Sequence, residues 1–122
     1  MPQTPIERYR DLMTEEELLQ AVRTAARYHG WLSYHTYRST KSEPGFPDLV
    51  LVRGPHVLWV ELKAAQGHMT PAQERWARSL LEAAQHYYQI RPHHWREGLV
   101  ERILTEGPAA ARPTPAPPLQ EV

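Results

Sequence analysis

The stretch Gly45-Phe46-Pro47-Asp48-Leu49-Val50-Leu51-Val52-Arg53-Gly54-Pro55-His56-Val57-Leu58-Trp59-Val60-Glu61-Leu62-Lys63 constrains this chain more than any other. Two apolar, β-branched-rich runs flank Gly54-Pro55, a dipeptide that punctuates strands, so the segment predicts a β-hairpin. A turn centred between Gly54 and Pro55 pairs Arg53 with His56, Val52 with Val57, and Asp48 with Glu61. Directly opposed residues have Cβ atoms roughly 4.5–5.5 Å apart, and like charges placed there are destabilising. Period-two alternation adds Lys63 to the face of Glu61 and sends Val60 and Leu62 to the other. Two carboxylates and an ammonium thus converge at one end of an apolar hairpin. A divalent cation would resolve the repulsion there and leave the lysine for chemistry. A register slip of one residue would send Asp48 to the opposite face.

The flanking elements follow from local signals. Residues 1–13 hold Pro2 and Pro5 without a clear period and read as a loosely held N-terminal arm. Thr14-Glu15-Glu16-Glu17 matches a capping box and opens a helix with the apolar stripe Leu18, Leu19, Val22, Ala25 and Ala26, stopping at His29-Gly30. At 3.6 residues per turn Glu15 falls on that stripe, Glu16 on its flank and Glu17 toward solvent. Glu15 therefore faces the sheet, unless it merely favours the positive helix N-terminus.

Trp31 to Tyr37 alternates aromatic and β-branched residues as a first strand, and a polar, basic loop, Arg38 to Gly45, leads into the hairpin. That loop offers Arg38, Ser39 and Lys41 to a phosphate backbone, or serves as a plain connector. Thr70-Pro71 caps a second helix, to about Gln85, with Ala72, Trp76, Leu80, Ala83 and Ala84 on its apolar side. Gln73 lies near its start, toward the hairpin end, and Trp76 reads as core packing. Tyr87 to Arg91 forms a last strand closed by Pro92, and a helix from His93 to Leu104 buries Trp95, Leu99, Val100 and Ile103. The expected fold is a small α/β domain over residues 14–104, a mixed sheet flanked by helices in the order α-β-β-β-α-β-α. Residues 105–122, rich in Pro and Ala, are expected to be a disordered or polyproline-like tail outside the core.

Composition narrows the function classes. With 122 residues, 41% hydrophobic and 23% charged, the chain supports one modest core. It has no Cys, which excludes disulfides and thiolate catalysis, and no apolar run long enough for a bilayer. A net charge of zero argues against a generally sticky nucleic-acid binder, but Arg23, Arg27, Arg38 and Lys41 follow one another without an intervening acid. None of the seven histidines forms a helical His-x-x-x-His pair; His35, on the first strand, is the one to test for catalysis.

Pro47-Asp48 followed by Glu61-Leu62-Lys63 resembles the PD-(D/E)xK signature of the restriction-endonuclease-like nucleases. Gly45-Phe46-Pro47-Asp48 before it, and Gly67 with Gln73-Glu74-Arg75-Trp76 after it, are most similar to the VRR-NUC branch, in its small stand-alone phage and bacterial type. The resemblance spans roughly Thr14 to Leu104 and implies a restriction-endonuclease-like core and a metal-dependent DNA endonuclease. It implies Mg2+ (or Mn2+) held by Asp48, Glu61 and the main-chain carbonyl of Leu62, with Glu15 joining the metal site, Lys63 acting on water or charge, and Gln73 bordering the site. Relatives carry Trp-Arg-Pro where this chain has Ile90-Arg91-Pro92, which retains Arg91 beside Arg38, Ser39 and Lys41 for DNA contact. Branched DNA or Holliday junctions as substrates, a homodimer, and the cytoplasm of a bacterial or phage-infected cell belong to the same implication. The competing expectation is a catalytically silent nucleic-acid-binding or partner-binding module of the same fold.

Overall fold

The hairpin turns on Gly54, whose φ of +57° is followed by a proline that can supply only a negative φ. A positive φ at the first central residue alone is the mark of a type II′ turn, whose twist suits antiparallel strands. The computed structural model describes residues 12–37 and 42–118, and within it β2 (Leu49–Arg53) and β3 (His56–Leu62) pair antiparallel with Arg53 opposite His56 and Leu49 opposite Val60. The register is the one read from the turn. The expected DNA contacts Arg38, Ser39 and Lys41, and most of the N-terminal arm, lie outside the described residues.

Strand β1 (Leu32–His35) adds antiparallel to β2, and β4 (His86–Ile90) adds parallel to β3, giving a mixed four-stranded sheet in the order β1-β2-β3-β4. Alternation gives the sheet two different faces. Leu49, Leu51, Leu58, Val60 and Leu62 pack against Leu18, Leu19, Val22 and Ala26 of helix α1 (Glu15–Tyr28) and against Val100, Ile103 and Leu104. On the opposite face Trp59 and Tyr87 meet Ala77 and Leu80 of helix α2 (Pro71–Glu82), which supplies the crossover that a parallel pair needs. Phe46 bridges Trp59 and Trp76 by edge-on contacts at 6.0 and 5.0 Å, so Trp76 is packing.

Three expectations change. The last helix is two, α3 (Pro92–Arg96) and α4 (Leu99–Glu106), because Gly98 adopts a φ of +80° between them. Helix α2 ends at Glu82, and Ala84 turns left-handed at φ +59°, which leaves Ala83 and Ala84 exposed instead of on the apolar side. The segment after Glu106 lies against the sheet as far as it is described. Pro108–Ala110 forms a 3₁₀ turn with Pro108 buried, Thr114 N–H donates to Tyr87 O at 2.8 Å, and Gln89 N–H donates to Thr114 Oγ1 at 2.8 Å. Proline composition alone reads as disorder, but the exposed edge of β4 offers this segment backbone partners.

Arg53 ties the helix ends to the hairpin. Its Nη1 donates to the carbonyls of Leu104 at 2.7 Å and His29 at 3.1 Å, and its guanidinium lies 4.6 Å over the Trp31 ring. A cation at two helix C-termini is favourable on dipole grounds as well. Among the described residues no helix is long and apolar enough to cross a membrane.

Ala84 gives a direct test of the fold. A left-handed non-glycine residue costs about 1–2 kcal/mol, and Ala84 is exposed. Ala84→Gly is expected to raise stability by about 1 kcal/mol, read as a higher urea midpoint with an unchanged slope.

Candidate active site

Asp48 immediately precedes β2, and its position is set from both sides. The backbone beyond β1 clamps it, with Thr36 N–H donating to Asp48 O at 2.9 Å and Thr36 Oγ1 donating to the Pro47 carbonyl at 2.8 Å. Gly45, at φ +84°, lies so close to helix α2 that a Cβ there would fall 2.3 Å from Ala72 C and 2.6 Å from Gln73 N. Only glycine permits that approach, which brings the Phe46-Pro47-Asp48 turn against the first turn of α2. The Asp48 Oδ2 then accepts the Leu62 N–H at 2.8 Å.

Glu61 stands on the α2 face of β3 and is only 2% exposed. Its Oε1 accepts a hydrogen bond from Gln73 Nε2 at 3.2 Å. Gln73 is held by a second capping box: its Oε1 accepts the Thr70 N–H at 2.9 Å while its own N–H donates to Thr70 Oγ1 at 3.1 Å. Burial, then the charge and hydrogen bond of Asp48, push the Glu61 carboxyl up to about 9, against the opposing pull of Lys63. The repulsion inferred from the hairpin register is therefore present, and without a cation Glu61 keeps its proton.

Lys63 follows β3 and is 7% exposed; its N–H donates to Ile90 O at 3.0 Å, extending the parallel ladder. Its Nζ lies 4.0 Å from Glu15 Oε1. Glu15 thus reaches the site as the helix stripe predicts, with Lys63 as a partner. These side chains share one cavity of about 530 Å³, lined by Glu15, Asp48, Glu61, Lys63 and Gln73 among others.

The donor chemistry suits a hard cation. Asp48 and Glu61 present carboxylate oxygens, and the Leu62 carbonyl points to the same side of β3 as the N–H that meets Asp48, since both backbone groups of a strand residue face one neighbour. Among the described residues no three His, Asp or Glu side chains converge as a metal-holding group. Such a site would rest on two side chains, a carbonyl and water.

Arg91, expected as a DNA contact, is also engaged within the fold. Its Nη1 donates to the carbonyls of Ala64 and Gly67, both at 2.8 Å, and so braces the loop that follows Lys63. A Cβ on Gly67 would lie 3.5 Å from Lys63 Cδ, so this loop also walls the lysine stem. The Arg91 N–H donates to His94 Nδ1 at 2.9 Å, and burial, then the neighbouring His93, lower the His94 pKa and keep that nitrogen an acceptor. Thr36 and Tyr37 also line the cavity; the alternation of the first strand through Tyr37 is the signal that could have placed them there. The second capping box was equally legible, as Thr70 followed three residues later by Gln73.

No protein-family model, curated protein or solved structure matches the chain. The class defined by fold and site is a mixed α/β domain with a buried glutamate and lysine beside a half-buried aspartate at one end of its sheet.

Two measurements follow. The raised Glu61 pKa means that the folded state holds a proton which the unfolded chain, near 4.5, releases. The Glu61 contribution to metal-free stability is then fully present below about pH 4.5 and is lost toward pH 9, by at most about 1.4 kcal/mol per pH unit. Urea titrations in EDTA should show this slope in wild type and a flatter one in Glu61→Gln. Arg91→Ala is expected to cost about 2–3 kcal/mol, read as a lower urea midpoint.

Proposed function

We propose that this chain is a metal-dependent DNA endonuclease with a restriction-endonuclease-like core of the VRR-NUC type. One observation carries the reading: Asp48, Glu61 and Lys63 are brought together, with Glu61 and Lys63 almost out of water, at a cost that a purely structural hairpin has no reason to bear. Asp48, Glu61 and the Leu62 carbonyl would hold Mg2+ or Mn2+, which when bound supplies charge neutralisation at the scissile phosphate and a more acidic water.

The chain's own groups divide the remaining work. Gln73 donates to Glu61 and fixes the orientation of its carboxylate. The Lys63 ammonium, walled by the loop that Arg91 braces, orients the attacking water or meets the charge that develops on the phosphoryl oxygens. Glu15 holds Lys63 in place. Arg38, Ser39 and Lys41, on the segment before Ser42, supply phosphate contacts. The resemblance adds in-line attack leaving a 5′-phosphate, branched DNA or junctions as substrate, and a homodimer that would cut two strands symmetrically.

The test is a cleavage gel of branched, duplex and single-stranded DNA with Mg2+, Mn2+ or EDTA. Wild type is expected to cut only with metal. Asp48→Asn and Glu61→Gln should lose both cleavage and metal binding by calorimetry. Lys63→Ala should keep metal binding and lose about 10²–10³-fold in turnover. DNA binding by wild type without cleavage under any condition would sink the enzyme and favour a silent binding module.

A further inference from the structure

Beside the proposed catalytic cleft lies a second lobe that the chemistry above does not use. The two share Glu15, Thr36, Tyr37 and Asp48 along their boundary, and the second lobe, about 310 Å³, runs on to Glu16, Leu19, His35 and Leu62. That size falls at the lower end of the roughly 300–1,000 Å³ of small-molecule sites. Leu19 and Leu62 are buried and make its floor apolar. At the mouth stands Tyr37, 74% exposed, its ring 5.6 Å from that of His35. The Tyr37 carbonyl accepts a hydrogen bond from Ser42 Oγ at 3.0 Å, which fixes the backbone from which the ring projects. An aromatic ring so exposed contributes little to the core.

The lining selects among ligands. Glu15, Glu16 and Asp48 make the lobe a poor host for a second phosphate. A carboxylate accepts hydrogen bonds and donates none, and that of Glu16 already takes one from Gln20 Nε2 at 3.0 Å. A flat π-face, an apolar floor and an acceptor at the rim fit a planar group with amino donors. Nucleobases have that chemistry, and a base can stack on an aromatic side chain only when it has left the duplex.

We propose that this lobe receives an unpaired nucleobase next to the phosphate held in the main cleft, stacked on Tyr37 with its amino edge toward Glu16. The site rests on the nuclease reading of the neighbouring cleft and supplies the selectivity which that reading lacks. A flap presents an unpaired base without cost, whereas an intact duplex must first unstack one.

The experiment uses the full chain in Ca2+, a flap DNA carrying 2-aminopurine at its unpaired nucleotide, and a fully paired duplex of the same length. Wild type is expected to quench the 2-aminopurine fluorescence. Tyr37→Ala should abolish the quenching and weaken flap binding about tenfold or more while duplex binding stays unchanged; Tyr37→Phe should behave as wild type. Fluorescence unquenched by wild type, or equal loss of flap and duplex binding in Tyr37→Ala, overturns the base site. Cleavage in Mg2+ reads the parent proposal separately. A wild type that quenches without cutting keeps the base site and removes the nuclease, and one that cuts without quenching removes the base site alone.

Discussion

The burial of the Glu61 carboxyl beside Asp48 is the constraint on which the rest of the site depends. A charge withdrawn from water is costly unless paired, and its near neighbour is another acid, so the metal-free fold answers by keeping Glu61 protonated. The surroundings then have to hold this arrangement against relaxation. Asp48 cannot swing away because its carboxylate accepts the Leu62 N–H, and Glu61 cannot because Gln73 donates to it from a capped helix start. The proton on Glu61 removes the like-charge repulsion, and the restraints keep both carboxyl groups side by side.

The mixed sheet explains how so many groups reach one place. Because β2 and β3 are antiparallel, the start of β2 lies beside the end of β3; because β3 and β4 are parallel, both their ends open on the same side. Asp48, Lys63 and Arg91 are therefore delivered to one rim by three strands. The crossover brings the first turn of α2 to that rim, and Gly45 closes the gap by bringing its turn into contact with it. Open sheets of this kind place ligands beyond the carboxyl ends of their strands for the same geometric reason.

Much of this was legible in the sequence because it is local. The turn at Gly54-Pro55 fixes a register, the register opposes Asp48 and Glu61, and the capping box at Thr14 sets which of three glutamates faces inward. What was not legible depends on partners distant in the chain. Arg91 reads as a free basic residue until the loop carbonyls of Ala64 and Gly67 come to lie around it. Ala83 and Ala84 continue an apolar stripe on paper, yet the helix stops before them. Gly98 breaks the last helix in a stretch whose periodicity runs on across it.

The Pro-rich segment shows how composition misleads when an edge strand is at hand. Prolines cannot donate to a ladder, so pairing along β4 must fall to a residue between them. Thr114, flanked by Pro113 and Pro115, fills that position: its N–H donates to Tyr87 and its hydroxyl oxygen accepts from Gln89. The Tyr88 hydroxyl also donates to Ala111 O at 3.0 Å, and Arg78 Nη2 on α2 donates to Pro117 O at 2.6 Å. These contacts cover an edge that would otherwise invite pairing with another chain. They also hold β4 against the rest of the domain, and β4 carries Ile90, whose carbonyl receives Lys63, and leads into Arg91, which braces the loop after it. A segment far from the carboxylates in sequence therefore helps to hold the strand on which the lysine's backbone depends.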